Sequence, residues 1–180
     1  MKNYLTVFAT VLFAINMAFG QVSSPVVKAT DSLSFMLATW TGDGWIRMGP
    51  KKETFQLTEV ITSKVDGAVI SIDGIGVTTD SVTNVTKKVH DAFGVVYYDE
   101  ESKGFRISAF SSAATKKDVE FKVADKVMTW SFKTDNGGIV RFTEDFSEED
   151  KWTTVGEYSA DGNRWFTFMQ YKLQRSTAVP

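Results

Sequence analysis

The chain has 180 residues, with 20 basic and 22 acidic side chains, one histidine, no cysteine and a formal net charge of −2. This near-neutral balance, with Lys and Asp interspersed, argues against the basic face that a nucleic-acid partner requires. Without cysteine the chain forms neither a disulfide nor a thiolate metal site, and one histidine leaves few catalytic constellations. The length suits a single domain.

The first twenty residues have the character of a secretory signal peptide. Lys2 is their only charge, an apolar run follows, and the small residues Ala18 and Gly20 precede a predicted cleavage at Gln21. An uncleaved membrane anchor is the alternative, but the run falls short of the roughly 20 apolar residues that span a bilayer. We therefore expect a periplasmic or extracellular protein without a membrane span after processing. The predicted divisions are a signal peptide at 1–20, a linker at 21–29, a barrel domain at 30–175 and a tail at 176–180.

A short helix is predicted after the linker, in the stretch DSLSFMLATW at residues 31–40. Asp31 or Thr30 would cap it, and Met36 and Trp40 would lie on roughly one face. Beyond this stretch the helical period disappears.

Ten strands are predicted in the rest of the chain, where alternating or wholly apolar runs are separated by turn signals. Asp-Gly and Asn-Gly pairs recur in these turns and are typical of hairpins, because type I′ turns need positive φ. A run of strands joined by short turns makes a meander, and closure into a barrel removes the exposed edges. The sequence therefore predicts an all-β fold, a single antiparallel up-and-down meander barrel of about ten strands with a short N-terminal helix; two packed sheets are the alternative. The predicted strands cover 41–48, 53–64, 68–77, 86–98, 104–111, 117–124, 126–134, 138–147, 151–159 and 163–174.

The stretch WTGDGW, residues 40–45, places two glycines inside the first predicted strand. Gly42 and Gly44 share one face of that strand, and Trp45 lies on the other. Glycine inside a strand marks a bulge, a tight bend or a close approach of another backbone. We therefore expect the first strand to bend sharply beside the helix, with Trp40 closing that end of the barrel.

The stretch LATWTGDGW resembles the small-x-Trp-x-Gly-x-Gly opening of the lipocalin-like (calycin) barrels. The similarity is to secreted bacterial lipocalin-like proteins of unassigned function and, more distantly, to the nitrobindin-like haem-binding barrels. Three later stretches fit the same pattern, namely HDAFGVVYYDEESKGFRISAFSS, FTEDF and SADGNRWFTFMQYKLQR. The resemblance covers nearly all of the chain after the signal peptide and implies a calycin barrel.

Haem is not expected as a cofactor despite this resemblance. Nitrobindin-like barrels hold haem iron through a histidine near the end of the chain, and this sequence has none there. Its only histidine, His90, sits where those families place a histidine ahead of a glycine-aromatic strand. No metal site is expected either.

Two carboxylates fall in apolar rows of predicted strands. Glu59 shares the phase of Phe55 in TFQLTEVIT, and Glu144 shares the phase of Phe142 in IVRFTEDF. A buried carboxylate is costly unless it is paired. Two interpretations stay open: ion pairs that fix the register of the barrel, or polar anchors at the bottom of a pocket. The candidate partners on strands are Arg47, Arg106 and Arg141.

The last predicted strand, RWFTFMQYKL, is apolar on both faces. Trp165 and Met169 lie on one face, and Phe166 and Phe168 lie on the other. One face must line the interior, and either the N-terminal helix or a partner protein must cover the other.

The favoured function is that of an exported barrel without catalytic activity that binds a small, mainly apolar molecule. A structural or protein-interaction barrel with a filled interior is the second hypothesis. A hydrolase-type enzyme that uses Glu59 and Glu144 as acid and base is the third. The sequence identifies no protein partner. The predicted ligand-binding residues of the interior are Trp45, Phe55, Glu59, Trp130, Phe142, Glu144, Trp152 and Trp165.

Overall fold

The computed structural model of the chain describes residues 24–112 and 115–176. The predicted signal peptide, the first part of the predicted linker and most of the predicted tail lie outside these residues. Within the described part, no helix has both the length and the apolar character needed to cross a membrane.

Ten antiparallel strands form one closed barrel, in which each strand pairs with the next along the chain and the first pairs with the last. The meander barrel predicted from the sequence is confirmed. Closure leaves none of these ten strands with an unpaired edge. The strands are β1 (Ala38–Met48), β2 (Lys51–Lys64), β3 (Val69–Thr79), β4 (Thr86–Asp99), β5 (Gly104–Ser111), β6 (Lys116–Ala124), β7 (Val127–Lys133), β8 (Ile139–Asp145), β9 (Lys151–Ser159) and β10 (Phe166–Arg175).

The N-terminal helix begins earlier in the chain than predicted. Helix α1 spans Pro25–Asp31. The hydroxyl of Ser24 caps it by accepting a hydrogen bond from the backbone N–H of Val27. Proline suits the first turn of a helix, because the backbone N–H that it lacks would have no hydrogen-bond partner at that position. A 3₁₀ turn at Ser34–Met36 follows, and β1 begins at Ala38. The predicted helix at 31–40 is therefore wrong.

The segment from Leu33 to Trp40, which runs into the start of β1, closes one end of the barrel. Leu33, Met36 and Trp40 are 0%, 1% and 1% exposed. The indole of Trp40 donates a hydrogen bond to the carbonyl of Met36 at 2.8 Å. Its ring meets those of Phe146 and Trp152 edge-on, with centroids 5.5 and 6.0 Å away. Trp40 thus closes this end of the barrel, as predicted.

Gly42 and Gly44 allow neighbouring strands to approach β1 closely. A Cβ atom at Gly42 would lie 2.1 Å from the carbonyl oxygen of Lys172. At Gly44 it would lie 2.6 Å from the ring of Phe55 and 2.7 Å from the Cβ atom of Tyr171. The pairings of β1 with β2 and β10 run without a register shift, and neither glycine has positive φ. The glycines therefore serve close packing rather than the predicted sharp bend.

A bulge in β10 changes the alternation predicted for this strand. Its pairing with β9 shifts register between Thr167 and Met169, which leaves Phe168 as the extra residue. The ring of Phe168 contacts that of Phe142 inside the barrel, with centroids 5.8 Å apart, and Met169 also faces the interior. Phe166 is 63% exposed, so the predicted cover by the N-terminal helix is wrong.

Candidate ligand-binding cavity

The barrel contains a cavity of about 240 Å³. Strand alternation builds it, because every second side chain of a barrel strand points inward. Ser111 and Lys117, at the ends of β5 and β6, lie at its mouth, away from the end that α1 closes. Both inward carboxylates, Glu59 and Glu144, line the cavity. The main apolar wall consists of Ile72, Ile107, Trp130, Phe142, Trp152 and Met169.

Three neutral side chains donate hydrogen bonds to the carboxylate of Glu144. The indole of Trp130 donates to Oε1 at 3.1 Å. The indole of Trp152 and the hydroxyl of Thr154 donate to Oε2 at 3.0 and 3.1 Å. Thr154 reaches this position because it pairs directly with Glu144 across β8 and β9. Burial raises the pKa of Glu144, and the three hydrogen bonds act in the opposite direction.

The arginines predicted as partners of the two carboxylates lie on the outer face of the barrel. Arg106 pairs with Asp118 at 2.5 Å, Arg141 pairs with Glu157 at 2.7 Å, and Arg47 is exposed. Each arginine is out of phase with the inward residues of its own strand. The prediction that these arginines form buried ion pairs with the carboxylates is therefore wrong.

Glu59 has no hydrogen-bond donor among the described residues, although it is only 4% exposed. Its nearest basic group is Nε2 of His90, 3.9 Å from Oε1, which is longer than a hydrogen bond. Burial, together with the charges of Glu144 and Asp73, raises the pKa of Glu59 to about 8. Burial also lowers the pKa of His90, against the effect of Asp91. At neutral pH, Glu59 is therefore mostly protonated and His90 is neutral.

Two glycines of β3 make room for Glu59 and His90. Gly74 pairs directly with Glu59, and a Cβ atom there would lie 2.6 Å from each carboxyl oxygen. At Gly76, where the pairing of β3 with β4 shifts register, a Cβ atom would lie 2.8 Å from that of His90. The imidazole stacks on the ring of Phe55, with centroids 6.3 Å apart. Local packing thus holds both titratable groups beside the cavity.

The chain is similar in fold to two solved structures. The crystal structure of Rv2717c from M. tuberculosis has a TM-score of 0.59 and 12% sequence identity, and the similarity covers 82% of this chain and 97% of that one. The S-type phycobiliprotein lyase CPES from Guillardia theta has a TM-score of 0.56 and 12% identity, covering 86% and 94% of the two chains. No family model and no curated protein matches the sequence. Both solved structures are lipocalin-like barrels. The chain has a calycin-like barrel fold.

Six of the eight predicted site residues face the interior of this calycin-like barrel. Phe55 is buried against His90. The other five line the cavity, and their binding of a ligand stays a prediction. These five residues are Glu59, Trp130, Phe142, Glu144 and Trp152.

Trp45 and Trp165 lie on the outer face, so the prediction that they wall the interior is wrong. The ammonium of Lys52 lies 4.2 Å from the ring centroid of Trp45, and the guanidinium of Arg141 lies 3.8 Å from that of Trp165. Trp45 faces outward because the neighbouring Gly44 takes the inward phase. Trp165 faces outward because the bulge in β10 reverses the alternation between it and Met169.

Sequence reasoning missed Tyr171, Thr154 and the position of His90. Tyr171 lines the cavity, and burial together with the charges of Glu144 and Glu59 raises its pKa well above the usual range. The alternation of KWTTVGEYS could have identified Thr154, which shares the phase of Trp152. The distance of 3.9 Å between His90 and Glu59 depends on the register of three strands, which the sequence does not show.

Proposed function

We propose that this calycin-like barrel is an exported binding protein, without catalytic activity, that holds one small and mainly apolar molecule in its interior. The cavity carries the proposal: it has about 240 Å³ of space, aromatic walls and two inward carboxyl groups. Apolar walls with a few placed polar groups are typical of ligand sites, whose volumes are usually about 300–1,000 Å³. The smaller volume here favours a ligand of one or two rings.

The cavity argues against a purely structural barrel with a filled interior. Protein interiors are close-packed, and voids larger than a water molecule are few. A cavity of about 240 Å³ that opens at a mouth leaves space in the barrel that larger side chains could have filled. Open space on this scale is more consistent with a bound molecule.

The surroundings of Glu144 argue against the use of both carboxyl groups as an acid-base pair. A general base needs access to the proton that it removes. The oxygens of Glu144 already accept three hydrogen bonds from side chains of β7 and β9. Of the two carboxyl groups, Glu59 is the one that is free to contact a bound molecule.

Export rests on the signal-peptide pattern of residues 1–20. N-terminal sequencing of the protein from the periplasm or culture medium should give Gln21 as the first residue. Recovery of Met1 on the protein in that fraction would contradict cleavage. The net charge of −2 also supports our expectation that nucleic acid is not a partner.

The binding proposal can be tested with 6-propionyl-2-(dimethylamino)naphthalene, a neutral apolar dye with two fused rings. We expect its fluorescence to rise on titration and to saturate at one dye per chain. Ala109→Phe should abolish this signal, because Ala109 lines the cavity and a phenyl ring there would occupy it. Ala92→Phe provides a second blocking variant at the same wall.

The matched control is Thr129→Phe, which adds the same ring at an exposed position of β7. We expect this variant to bind the dye like the wild type. Circular dichroism of each variant checks that the barrel is folded. Absence of saturable binding to the wild type, or equal binding by both folded blocking variants, would contradict the proposal.

A further inference from the structure

We infer that the natural ligand carries a basic nitrogen, which in its cationic form binds the carboxyl group of Glu59, so that the ligand class is small arylalkylamines. The inference rests on the proposed function and specifies the chemistry of the same site. Its basis is the position of Glu59, which lines the cavity, is 4% exposed and accepts no hydrogen bond from the described residues.

Buried polar groups in proteins normally have hydrogen-bond partners. No side-chain nitrogen or oxygen of the described residues is both completely buried and without a partner. The carboxyl oxygens of Glu59 must therefore border open space, and the cavity is the space that this residue lines. A bound molecule can supply the donor that the protein does not.

The charges around Glu59 favour a cation as that donor. Glu144 on β8 and Asp73 on β3 both raise the pKa of Glu59, so each contributes negative potential at its carboxyl group. His90 on β4 is neutral at pH 7, and Tyr171 on β10 remains protonated, so neither offsets this potential. An ammonium group beside Glu59 would be attracted by these charges and would donate the missing hydrogen bonds.

The cavity wall suits the aromatic part of such a ligand. The rings of Trp130 and Phe142 stack face to face with centroids 4.2 Å apart, and both line the cavity as part of its apolar wall. Lys117 also lines the cavity, with its cation 5.1 Å from the ring centroid of Phe132, and it is not among the charges that shift the pKa of Glu59. The amine would therefore point inward toward Glu59.

Two probes of the same shape test the inference by isothermal titration calorimetry of the full barrel. One probe is 2-naphthylmethylamine, which is cationic at pH 7, and the other is the neutral 2-naphthylmethanol. We expect the amine to bind at least about tenfold more tightly than the alcohol. Glu59→Gln should remove this preference, so that the amine binds no more tightly than the alcohol.

Glu157→Gln is the matched control, because Glu157 pairs with Arg141 on the outer face. This variant should retain the preference for the amine. Equal affinities for the two probes, or a preference that survives Glu59→Gln, would overturn the inference and leave the proposed function standing. If neither probe binds, and the neutral dye that tests the proposed function does not bind either, the proposed function would be overturned as well.

Proton release provides a second readout that a merely structural role for Glu59 would not produce. Glu59 is mostly protonated at pH 7, so pairing with an ammonium ion requires it to lose its proton. We expect amine binding to release close to one proton per chain, measured in buffers of different ionisation enthalpy. The alcohol should release none, and Glu59→Gln should abolish the release. Binding of the amine without proton release, and with an affinity that Glu59→Gln leaves unchanged, would contradict the pairing.

Discussion

The indole nitrogen of Trp152 lies 3.0 Å from Oε2 of Glu144 and connects the closed end of the barrel to the cavity. The ring of Trp152 also stacks on Phe146 at a centroid distance of 4.8 Å and meets Trp40 edge-on at 6.0 Å. Glu144 is therefore part of the same packed group that closes the barrel. Its replacement should affect the stability of that end as well as the cavity.

Glu144→Leu should destabilise the protein by roughly 2–4 kcal/mol, because each buried donor left without an acceptor costs about 1–3 kcal/mol. Relief of the cost of burying a carboxylate offsets part of this loss. Glu144→Gln should cost less, about 1 kcal/mol, because the amide keeps one acceptor oxygen. Urea unfolding at pH 7 measures both values. A loss below about half a kcal/mol for the leucine variant would show that the three hydrogen bonds contribute little.

Glu59 should make the stability of the barrel fall as the pH rises above about 5. Its pKa is about 8 in the folded chain and 4.5 as a free group, so the unfolded chain loses this proton first. The stability that the raised pKa of Glu59 contributes to the folded protein is fully present below pH 4.5 and is lost progressively up to about pH 8. Each pH unit in this interval lowers the free energy of unfolding by about 1.4 kcal/mol.

Glu59→Gln removes this titration, so the variant should gain stability relative to the wild type by about 3 kcal/mol between pH 5 and pH 7.5. Urea unfolding across this range measures the difference. Glu120→Gln is the control, because Glu120 is exposed on the barrel surface, and its difference from wild type should stay nearly constant. A constant difference for Glu59→Gln would mean that Glu59 is ionised in the folded protein throughout this range.

Gly42→Val and Gly44→Val should each destabilise the protein by more than about 2 kcal/mol, in the upper part of the usual range for single substitutions. Gly42→Val should be the worse of the two, because its Cβ atom would meet the backbone carbonyl of Lys172 at 2.1 Å. At Gly44 the first obstacle is the ring of Phe55, a side chain that can shift.

Thermal melts compare these variants with Gly104→Val, a control in which the nearest atom to an added Cβ lies 3.7 Å away. The control should lose less stability than either. If Gly42→Val and Gly44→Val melted within a degree or two of wild type but changed ligand-binding kinetics, the glycines would instead serve as a mobile entrance.

Titration with ferric haem should give no sharp Soret shift of a histidine-ligated species. The expectation rests on the absence of a histidine near the end of the sequence. The remaining candidate, His90, is packed against Phe55 and lies beside Glu59. A stoichiometric shift that His90→Ala abolishes would contradict this expectation.

Most of the fold could be predicted because turn signals and alternation are local properties of the chain. Strands β5 and β9 have the predicted bounds, 104–111 and 151–159. The helix was misplaced because Ser24 and Pro25 start it ahead of the apolar residues that suggested it. The outward position of Trp165 was missed because nothing in RWFTFMQYKL marks the bulge at Phe168.

The inward phase of Glu59 and Glu144 could also be predicted, but their surroundings could not. A two-residue period gives the face of a side chain and leaves its neighbours on other strands unspecified. The donors to Glu144 come from the register of β7 and β9 against β8. The space for the carboxyl group of Glu59 comes from Gly74, which the register of β3 places opposite it.

A crystal structure with the neutral ligand 6-bromo-2-naphthol tests the central claim most directly, because anomalous scattering locates its bromine atom. A second, outer concavity beside Trp45 and Gln170 provides a competing location on the same molecule. We expect one bromine peak inside the barrel, within contact distance of Trp130 or Phe142. Peaks confined to the concavity beside Trp45, or an empty barrel at saturating ligand, would contradict a binding role for the interior.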